Sequence, residues 1–311
     1  MENIMNNGKV AWHGNFPAVI TPFTKDGEID EACFTSNIER LLSEGARGVV
    51  VSGSNGESWA LRGPERLALF RLAKDVAGKT ATVIGGTGSI PTGDVVELTK
   101  AARDTGIDGV MIMPPYYCGA SRREVVAHFQ MISDEVAFPI LIYNSPKATG
   151  VDIVADFAAE LAEIDWIVAI KQSTLDFTVF EQTVAACGDK IHVFTGHSAK
   201  RGLASVLAGA DGFVSSLDPH VLGREGISLF ELSVSGDYEA ARKIQMRALT
   251  LDRGLAAIGS GPSVMKAAMN MLGRPAGIPR RPLLEATPAE QDRIRQVLDG
   301  LGLFSQAHHA A

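Results

Sequence analysis

Pro139-Ile-Leu-Ile-Tyr-Asn144 and Trp166-Ile-Val-Ala-Ile-Lys171, joined by an amphipathic segment over 153–160, decide the fold. Both runs are apolar nearly throughout, which suits a parallel strand covered on its two faces rather than a half-exposed one. The segment between them has helical periodicity, and no hairpin signal links the runs, so the unit is strand, crossover helix, parallel strand.

The unit repeats. Further apolar runs lie at 16–21, 48–52, 81–84, 109–113, 191–195 and 212–215, with helical segments at 34–44, 65–77, 94–105 and 124–135 among them. Leu42-Ser-Glu-Gly-Ala and Asp104-Thr-Gly-Ile-Asp-Gly read as helix ends handing over to strands. Eight such units favour a closed α/β architecture, the TIM (β/α)8 barrel, over an open doubly wound sheet. Gly85-Gly-Thr-Gly-Ser-Ile follows a strand but lacks GxGxxG spacing and a GK[ST] end, and it belongs to the third unit. Close backbone approach explains those glycines better than a bound nucleotide.

After residue 216 the pattern changes to consecutive helices at 221–235, 238–255, 262–272 and 288–301. The expected division is a barrel with a short lead over 1–217 and a C-terminal helical extension over 218–311, packed on the barrel as one structural unit. No linker rich in Pro, Ser or charge separates them, and 273–282 is a Pro/Arg-bearing loop inside the extension. The tail 306–311, with His308-His309, reads as a frayed end.

With 311 residues, 46% of them hydrophobic, the chain can bury a large core. Its 29 Lys+Arg against 36 Asp+Glu leave a net charge of −7 and no clustered basic face, which argues against nucleic acid as a partner. No apolar run reaches the roughly 18–20 residues of a membrane span, and the start 1–9 is polar, unlike a signal peptide. A cytoplasmic protein is expected. Cys33, Cys118 and Cys187 lie far apart and form no CxxC pair, so buried or semi-buried thiols are expected rather than disulfides or a zinc site. Cys118, behind a Tyr pair, is the candidate for another role.

In a barrel of this kind reactive groups gather at the carboxyl ends of strands. Lys171 closes one run, where partial burial would favour its neutral, nucleophilic amine. Tyr143 ends the preceding run and could pass protons to and from the same carbon. Gly53-Ser-Asn-Gly-Glu-Ser offers backbone amides and the Ser54 hydroxyl to a carboxylate. Each feature has a plain alternative: a solvated lysine, a packed ring, a simple turn. Glu57 reads either as a buried partner holding the loop or as a surface charge, and Asn144 and Pro146 as turn-shaping residues.

Taken in order, Phe16-Pro-Ala-Val-Ile-Thr-Pro-Phe, Gly53-Ser-Asn-Gly-Glu-Ser, Gly86-Thr-Gly-Ser, Pro115-Tyr-Tyr, Tyr143-Asn-Ser-Pro and Ile170-Lys resemble the dihydrodipicolinate synthase and N-acetylneuraminate lyase family. Gly261-Pro-Ser-Val-Met-Lys and Leu272-Gly-Arg-Pro-Ala-Gly extend the resemblance to the C-terminal helices. The resemblance implies a TIM barrel plus C-terminal helices and a homotetramer built as a dimer of dimers. It further implies a class I lyase with no cofactor and no metal beyond a covalent imine with its substrate. By position Lys171 matches the Schiff-base lysine, Tyr143 the proton-relaying tyrosine, and Ser54 with Asn55 the pair holding the carboxylate of pyruvate or another 2-oxo acid. Tyr117 matches a tyrosine that crosses a subunit interface to join the relay.

The chain departs from the synthase pattern at three places. Ala148 stands where synthases acting on aspartate semialdehyde carry an Arg, and Lys147 beside it offers only a point charge. Asn55 replaces a Thr that joins the relay. Ser173, His197 and Ser198 resemble positions that contact substrate hydroxyls in the sugar-acid lyases, with Ser215 a further candidate. The favoured reading is aldol cleavage or condensation, or dehydration, of a hydroxylated 2-oxo-3-deoxy acid. The alternative is 4-hydroxy-tetrahydrodipicolinate synthase, joining pyruvate and aspartate semialdehyde. Outside the family's chemistry stand a non-catalytic 2-oxo-acid sensor, which would need neither Lys171 nor Tyr143, and a metal-dependent aldolase. The latter needs several His and carboxylates at strand ends, whereas the seven His are scattered.

Overall fold

In a computed structural model, which describes residues 10–304, the apolar runs become eight strands in one parallel sheet. They are β1 Gly14–Asn15, β2 Gly48–Val51, β3 Thr82–Gly86, β4 Gly109–Ile112, β5 Ile140–Asn144, β6 Ile167–Gln172, β7 His192–Thr195 and β8 Gly212–Phe213. Strands β2 through β8 lie side by side in chain order, and β1 pairs with β8. The two outer strands then meet: the Val19 amide donates to the Val50 carbonyl at 3.0 Å and the Val50 amide to the Pro17 carbonyl at 2.9 Å. The sheet is thereby closed into a barrel with no unpaired edge.

The first strand is shorter than the run 16–21 suggests. Its regular pairing with β8 covers only Gly14 and Asn15, and Pro17, which has no amide hydrogen, offers β2 only its carbonyl. Single bonds carry the contact onward, from the Phe16 amide to the Phe213 carbonyl at 2.8 Å and from the Ala18 amide to the Ser215 carbonyl at 2.9 Å.

Thirteen helices surround and extend the barrel: α1 Glu31–Ser43, α2 Gly63–Ala77, α3 Thr92–Arg103, α4 Arg122–Val136, α5 Pro146–Thr149, α6 Ala155–Leu161, α7 Phe177–Cys187, α8 Ser198–Leu207, α9 Leu217–Val221, α10 Arg224–Val234, α11 Tyr238–Ala256, α12 Gly261–Met271 and α13 Pro288–Gly300, counted among the described residues. Their starts follow local chemistry. Asp30 accepts from the Cys33 amide at 2.9 Å, and Ser121 with Glu124 and Thr287 with Glu290 form reciprocal caps. The run expected as one helix over 221–235 breaks at Gly223, whose φ of +64° no helix continues. A Cβ there would lie 2.9 Å from Arg274 Nη2 and 3.0 Å from Glu44 Oε1, so glycine is also required for space.

Strand residues divide between two cores. Val50, Ile84, Met111, Leu141 and Phe194 fill the barrel interior together with Trp12 and Phe16. Their neighbours Val49, Val51, Val83, Val110, Ile112, Ile140 and Val193 face Phe34, Phe70, Phe129 and Phe180 of the helical layer. A period of two thus operates beneath an apolar sequence, because both faces are covered. Helix α10 lies over β1 and β8: Asn15 Nδ2 donates to the Ile227 carbonyl at 3.3 Å, and Phe230 meets Phe213 edge-on at 5.1 Å. Leu251, Leu255, Val264, Ala268, Ile294 and Leu298 make a further core among α11, α12 and α13. Among the described residues no helix is long and apolar enough to cross a membrane. The start 1–9 and the tail carrying His308 and His309 lie outside the described residues. Cys187 is buried, Cys33 half-buried and Cys118 exposed, the last unlike the thiols the sequence suggested.

Gly85 and Gly86 serve close packing, whereas a Cβ on Gly88 would meet Met113 at an ordinary 3.5 Å. A Cβ on Gly86 would lie 2.1 Å from the Ser52 carbonyl oxygen, and one on Gly85 would lie 2.8 Å from Phe70 Cζ. Gly86→Ala is therefore expected to lower unfolding free energy by about 1–3 kcal/mol in urea titrations. Gly93→Ala, in open space on α3, is expected to raise it by roughly 0.4–1 kcal/mol. Equal effects at the two positions would contradict the packing account.

Candidate active site

Strands β5 and β6 do not run in simple step. Ile140 pairs with Ile167, but Leu141 pairs with Ala169, so one extra residue is inserted in β6 around Val168. This bulge moves the register by one and sets Tyr143 opposite Lys171. Both side chains then face the barrel mouth, 9% and 7% exposed, with Lys171 Nζ 4.0 Å from the centroid of the Tyr143 ring. Burial alone would push the phenol up, but the Lys171 ammonium and the hydroxyls of Ser145, Ser54 and Ser173 prevail and hold it below the ordinary tyrosine value.

The neighbouring residues lock this pair. Asn144 Nδ2 donates to Gln172 Oε1 at 2.5 Å, and the Ile153 amide donates to Asn144 Oδ1 at 3.1 Å. Gln172 Nε2 donates to Thr183 Oγ1 at 3.1 Å and to the Ile153 carbonyl at 3.0 Å, so the outward side chains of both strand ends are fully engaged. On the inward side Gly196 makes room. A Cβ there would lie 2.9 Å from Lys171 Cε and 1.8 Å from Ser173 Oγ.

The loop after β2 is held from beneath. Ser52 and Glu57 have left-handed φ values of +57° and +53°, uncommon for residues with a side chain. Glu57 is fully buried and serves as the loop's anchor: Lys266 Nζ donates to Glu57 Oε1 at 2.5 Å and the Arg280 amide to Glu57 Oε2 at 2.9 Å. Lys266 also donates to the carbonyls of Thr21 and Ile278, at 2.6 and 2.8 Å. Burial pulls the Lys266 ammonium below the usual lysine range, with the Glu57 carboxylate opposing that pull. Above this anchor, Thr21 Oγ1 donates to the Gly56 carbonyl at 2.8 Å, and Asn55 Nδ2 donates to Ser216 Oγ at 2.6 Å.

These elements enclose a cavity of about 230 Å³. Lys171, Tyr143, Ser54, Asn55, His197 and Ser198 all line it. Ser173 stands behind them, with its carbonyl 3.0 Å from His197 Nε2. Burial first, and then the Arg201 charge, pull the His197 imidazole down to about 4, which keeps it neutral at neutral pH. Ser215 does not line the cavity: it is fully buried and donates to Asn15 Oδ1, and its neighbour Ser216 lines the cavity instead. Tyr117 does not line it either. It is 95% exposed on the loop after β4, with a φ of +72°.

Sequence reasoning missed Asp218, Lys200 and Asp252, which also line the cavity. Asp218 lies just beyond the end of β8, too far along for a strand-end rule. Burial pushes its carboxyl up to about 6 against the opposing Ser198 hydroxyl and Ser216 amide. Asp252 arrives from α11 and stands 3.6 Å from Lys200, a meeting that no local pattern signals. Among the described residues no group of three or more His, Cys, Asp or Glu side chains gathers as a metal site requires.

The model of the dihydrodipicolinate synthetase family matches residues 11–301. An uncharacterized DapA-like lyase of Rhizobium meliloti is 37% identical over 94% of this chain and 97% of its own length. The 4-hydroxy-tetrahydrodipicolinate synthase of Heliobacterium modesticaldum is 34% identical over 92% and 94%. Among solved structures, the chloride-inhibited dihydrodipicolinate synthase of Acinetobacter baumannii, complexed with pyruvate, superposes with a TM-score of 0.89 at 29% identity. That match covers 94% of this chain and 99% of the other.

Two outcomes follow from the buried charges. Glu57→Gln and Lys266→Met each strand one charge in the core and are each expected to cost about 3–5 kcal/mol in denaturant unfolding. The double variant is expected to recover much of that loss, and simple additivity would show the two to be uncoupled. Asp218 has a folded value of about 6 against the ordinary 3.8, so the folded state binds more protons in that window and stability falls as pH rises through it. Asp218→Asn should therefore stabilise the protein above pH 6, by up to about 3 kcal/mol, and change it little below about pH 4. A gain independent of pH in calorimetry at the two ends would refute this.

Proposed function

The chain belongs to the dihydrodipicolinate synthetase family and is a lyase, and from that premise we propose that Lys171 forms a Schiff base with pyruvate or another 2-oxo acid. The observation that carries this reading is the buried Lys171 amine, 4.0 Å from the Tyr143 ring centroid, in a cavity that also presents Ser54 and Asn55. Ser54 and the loop amides receive the carboxylate, which brings the keto carbon to the amine and makes their encounter effectively intramolecular. The neutral amine adds to that carbon, and Tyr143 passes the protons that turn the carbinolamine oxygen into departing water.

The protonated imine then accepts the electron pair of an adjacent bond. In aldol cleavage the carbon–carbon bond breaks, the hydroxyl proton leaves as an aldehyde forms, and the resulting enamine is protonated before water releases the product. Condensation is the same path reversed, and dehydration of a 2-oxo-3-deoxy acid starts from the same protonated imine: loss of a C3 proton gives the enamine of the intact acid, which expels the C4 hydroxyl as water. No metal or nucleotide cofactor takes part in this scheme.

A hydroxylated 2-oxo acid fits the wall of the cavity, where His197, Ser198, Ser216 and Asp252 supply polar contacts. Exposed Ala148 on α5 offers no guanidinium to a second carboxylate, which favours this substrate over aspartate semialdehyde. The names of the 34%-identical relatives favour 4-hydroxy-tetrahydrodipicolinate synthase as the second reading. Tyr117, exposed and strained in one chain, suits a homotetramer in which it completes a neighbouring site.

Borohydride reduction in the presence of pyruvate, followed by peptide mass analysis, tests the proposal. The added mass is expected on the peptide holding Lys171 and is expected to vanish in Lys171→Ala. Tyr143→Phe is expected to slow turnover of the productive 2-oxo-3-deoxy acid by about 10²–10⁴-fold. Label on another lysine, or undiminished turnover by Lys171→Ala, would sink the imine.

A further inference from the structure

Helix α8 is broken near its start. Arg201 leaves helical geometry, with a φ of −153° and a ψ of 23°, so the turn 198–200 is set off from the body of the helix. That turn, with Gly196 and His197 before it, forms one wall of the cavity that holds Lys171. The body of the helix cannot tilt to bring the wall there. A Cβ on Gly202 would lie 2.9 Å from Leu229 Cδ2 and 3.0 Å from Phe213 Cζ, so α8 already rests tightly against α10 and β8. Where the wall stands therefore depends on the break.

A buried side chain from α11 fills that break. Gln245 accepts from the Leu203 amide at 3.0 Å and donates through Nε2 to the Ala199 carbonyl at 2.7 Å and the Ser198 carbonyl at 3.1 Å. In a continuous helix the Leu203 amide would bond the Ala199 carbonyl directly, and the Ser198 carbonyl would take the Gly202 amide. The carboxamide thus stands between a donor and an acceptor of the helical ladder, as an inserted side chain does at a kink. Its orientation is fixed by its neighbours: turned over, its oxygen would face two carbonyls and its amino group an N–H. Two turns further along, the same face of α11 presents Asp252, 3.6 Å from Lys200. One helix of the C-terminal extension therefore holds the turn twice, by its backbone through Gln245 and by its charge through Asp252.

We infer that Gln245 is a positioning residue: by holding α8 open at Arg201 it presents Ser198 and Lys200 to the hydroxyls of a hydroxylated 2-oxo acid. Gln245 does not line the cavity itself and acts only through that turn. Without the carboxamide, the Leu203 amide and the Ala199 carbonyl are free to pair with each other, α8 runs on as one helix, and the wall turns away. Pyruvate, held by Lys171, Tyr143 and the loop of Ser54, does not need the wall. The inference rests on the imine at Lys171 and adds to it the residue that shapes the hydroxyl-binding side.

The test compares acids of equal length with and without hydroxyls: 2-oxo-3-deoxygluconate with 2-oxohexanoate, and 2-oxo-3-deoxyarabinonate with 2-oxopentanoate. Borohydride trapping at Lys171, with each adduct identified by its mass, is measured against concentration. The unmodified protein is expected to half-saturate with at least one hydroxylated acid at about tenfold lower concentration than with its plain counterpart, about one hydrogen bond to a charged group. Gln245→Met keeps the length of the side chain and removes the amide. It should bring that ratio near one while leaving half-saturation by pyruvate within about twofold, as for a site it does not touch. Gln245→Glu keeps the acceptor for Leu203 and loses both donors, and it should act in the same way. In a background of Ser198→Ala with Lys200→Met, Gln245→Met should change nothing further, because the side chains it positions are gone. A ratio near one in the unmodified protein, a ratio that survives loss of the amide, a full effect of Gln245→Met in that background, or equal losses for pyruvate and the hydroxylated acid overturns the inference while leaving the imine intact. Failure of the unmodified protein to trap pyruvate at Lys171 overturns the imine reading, and this inference with it.

Discussion

One inserted residue governs the site. The bulge around Val168 gives β6 two successive inward residues, and every position after it is displaced by one against β5. Without the insertion Tyr143 would stand opposite Ile170, and Lys171 opposite Asn144. Side chains alternate along a strand, so a slip of one residue exchanges the barrel mouth for the helical layer. The clamp of Asn144 and Gln172 on the outer side and the missing Cβ of Gly196 on the inner side both fit this shifted register and no other.

Much of this architecture is visible in the chain itself. A parallel strand buried on both faces must be apolar along its length, and eight such runs separated by helical segments leave few alternatives to a barrel. Lys171 and Tyr143 stand out because a charged and a hydroxylated residue end otherwise apolar runs. The limits of such reading are equally physical. It ends the eighth run at 215, two residues past the end of β8 at Phe213, and does not show which of Ser215 and Ser216 faces the cavity, since that depends on the hydrogen bond between Ser215 and Asn15. It does not register that β1's regular pairing with β8 ends at Asn15, nor that Gly223 divides a helix crowded by Arg274 and Glu44.

The residues least visible in sequence are those delivered from far along the chain. Asp252 and Lys200 come from different helices and meet at the cavity, and Asp218 follows a strand too short to announce it. The electrostatic setting they create is mixed. Histidine 197 is neutral, Asp218 is reluctant to ionise, and the lysine–tyrosine pair lowers the phenol while burial resists. In the proposed imine scheme the acid–base work at neutral pH accordingly falls to the pair on β5 and β6 rather than to the imidazole, whose Nε2 lies 3.0 Å from the Ser173 carbonyl.

The contact between Glu57 and Lys266 joins residues 209 positions apart. During synthesis, all eight strands leave the ribosome before the cation that neutralises this carboxylate has been made. A chain cut short by an early stop codon ahead of α12 would contain the whole sheet, Lys171 and Tyr143, yet the loop after β2 would rest on an uncompensated acid. The loop that lines the cavity thus gains its buried counter-charge only once the polypeptide extends through α12.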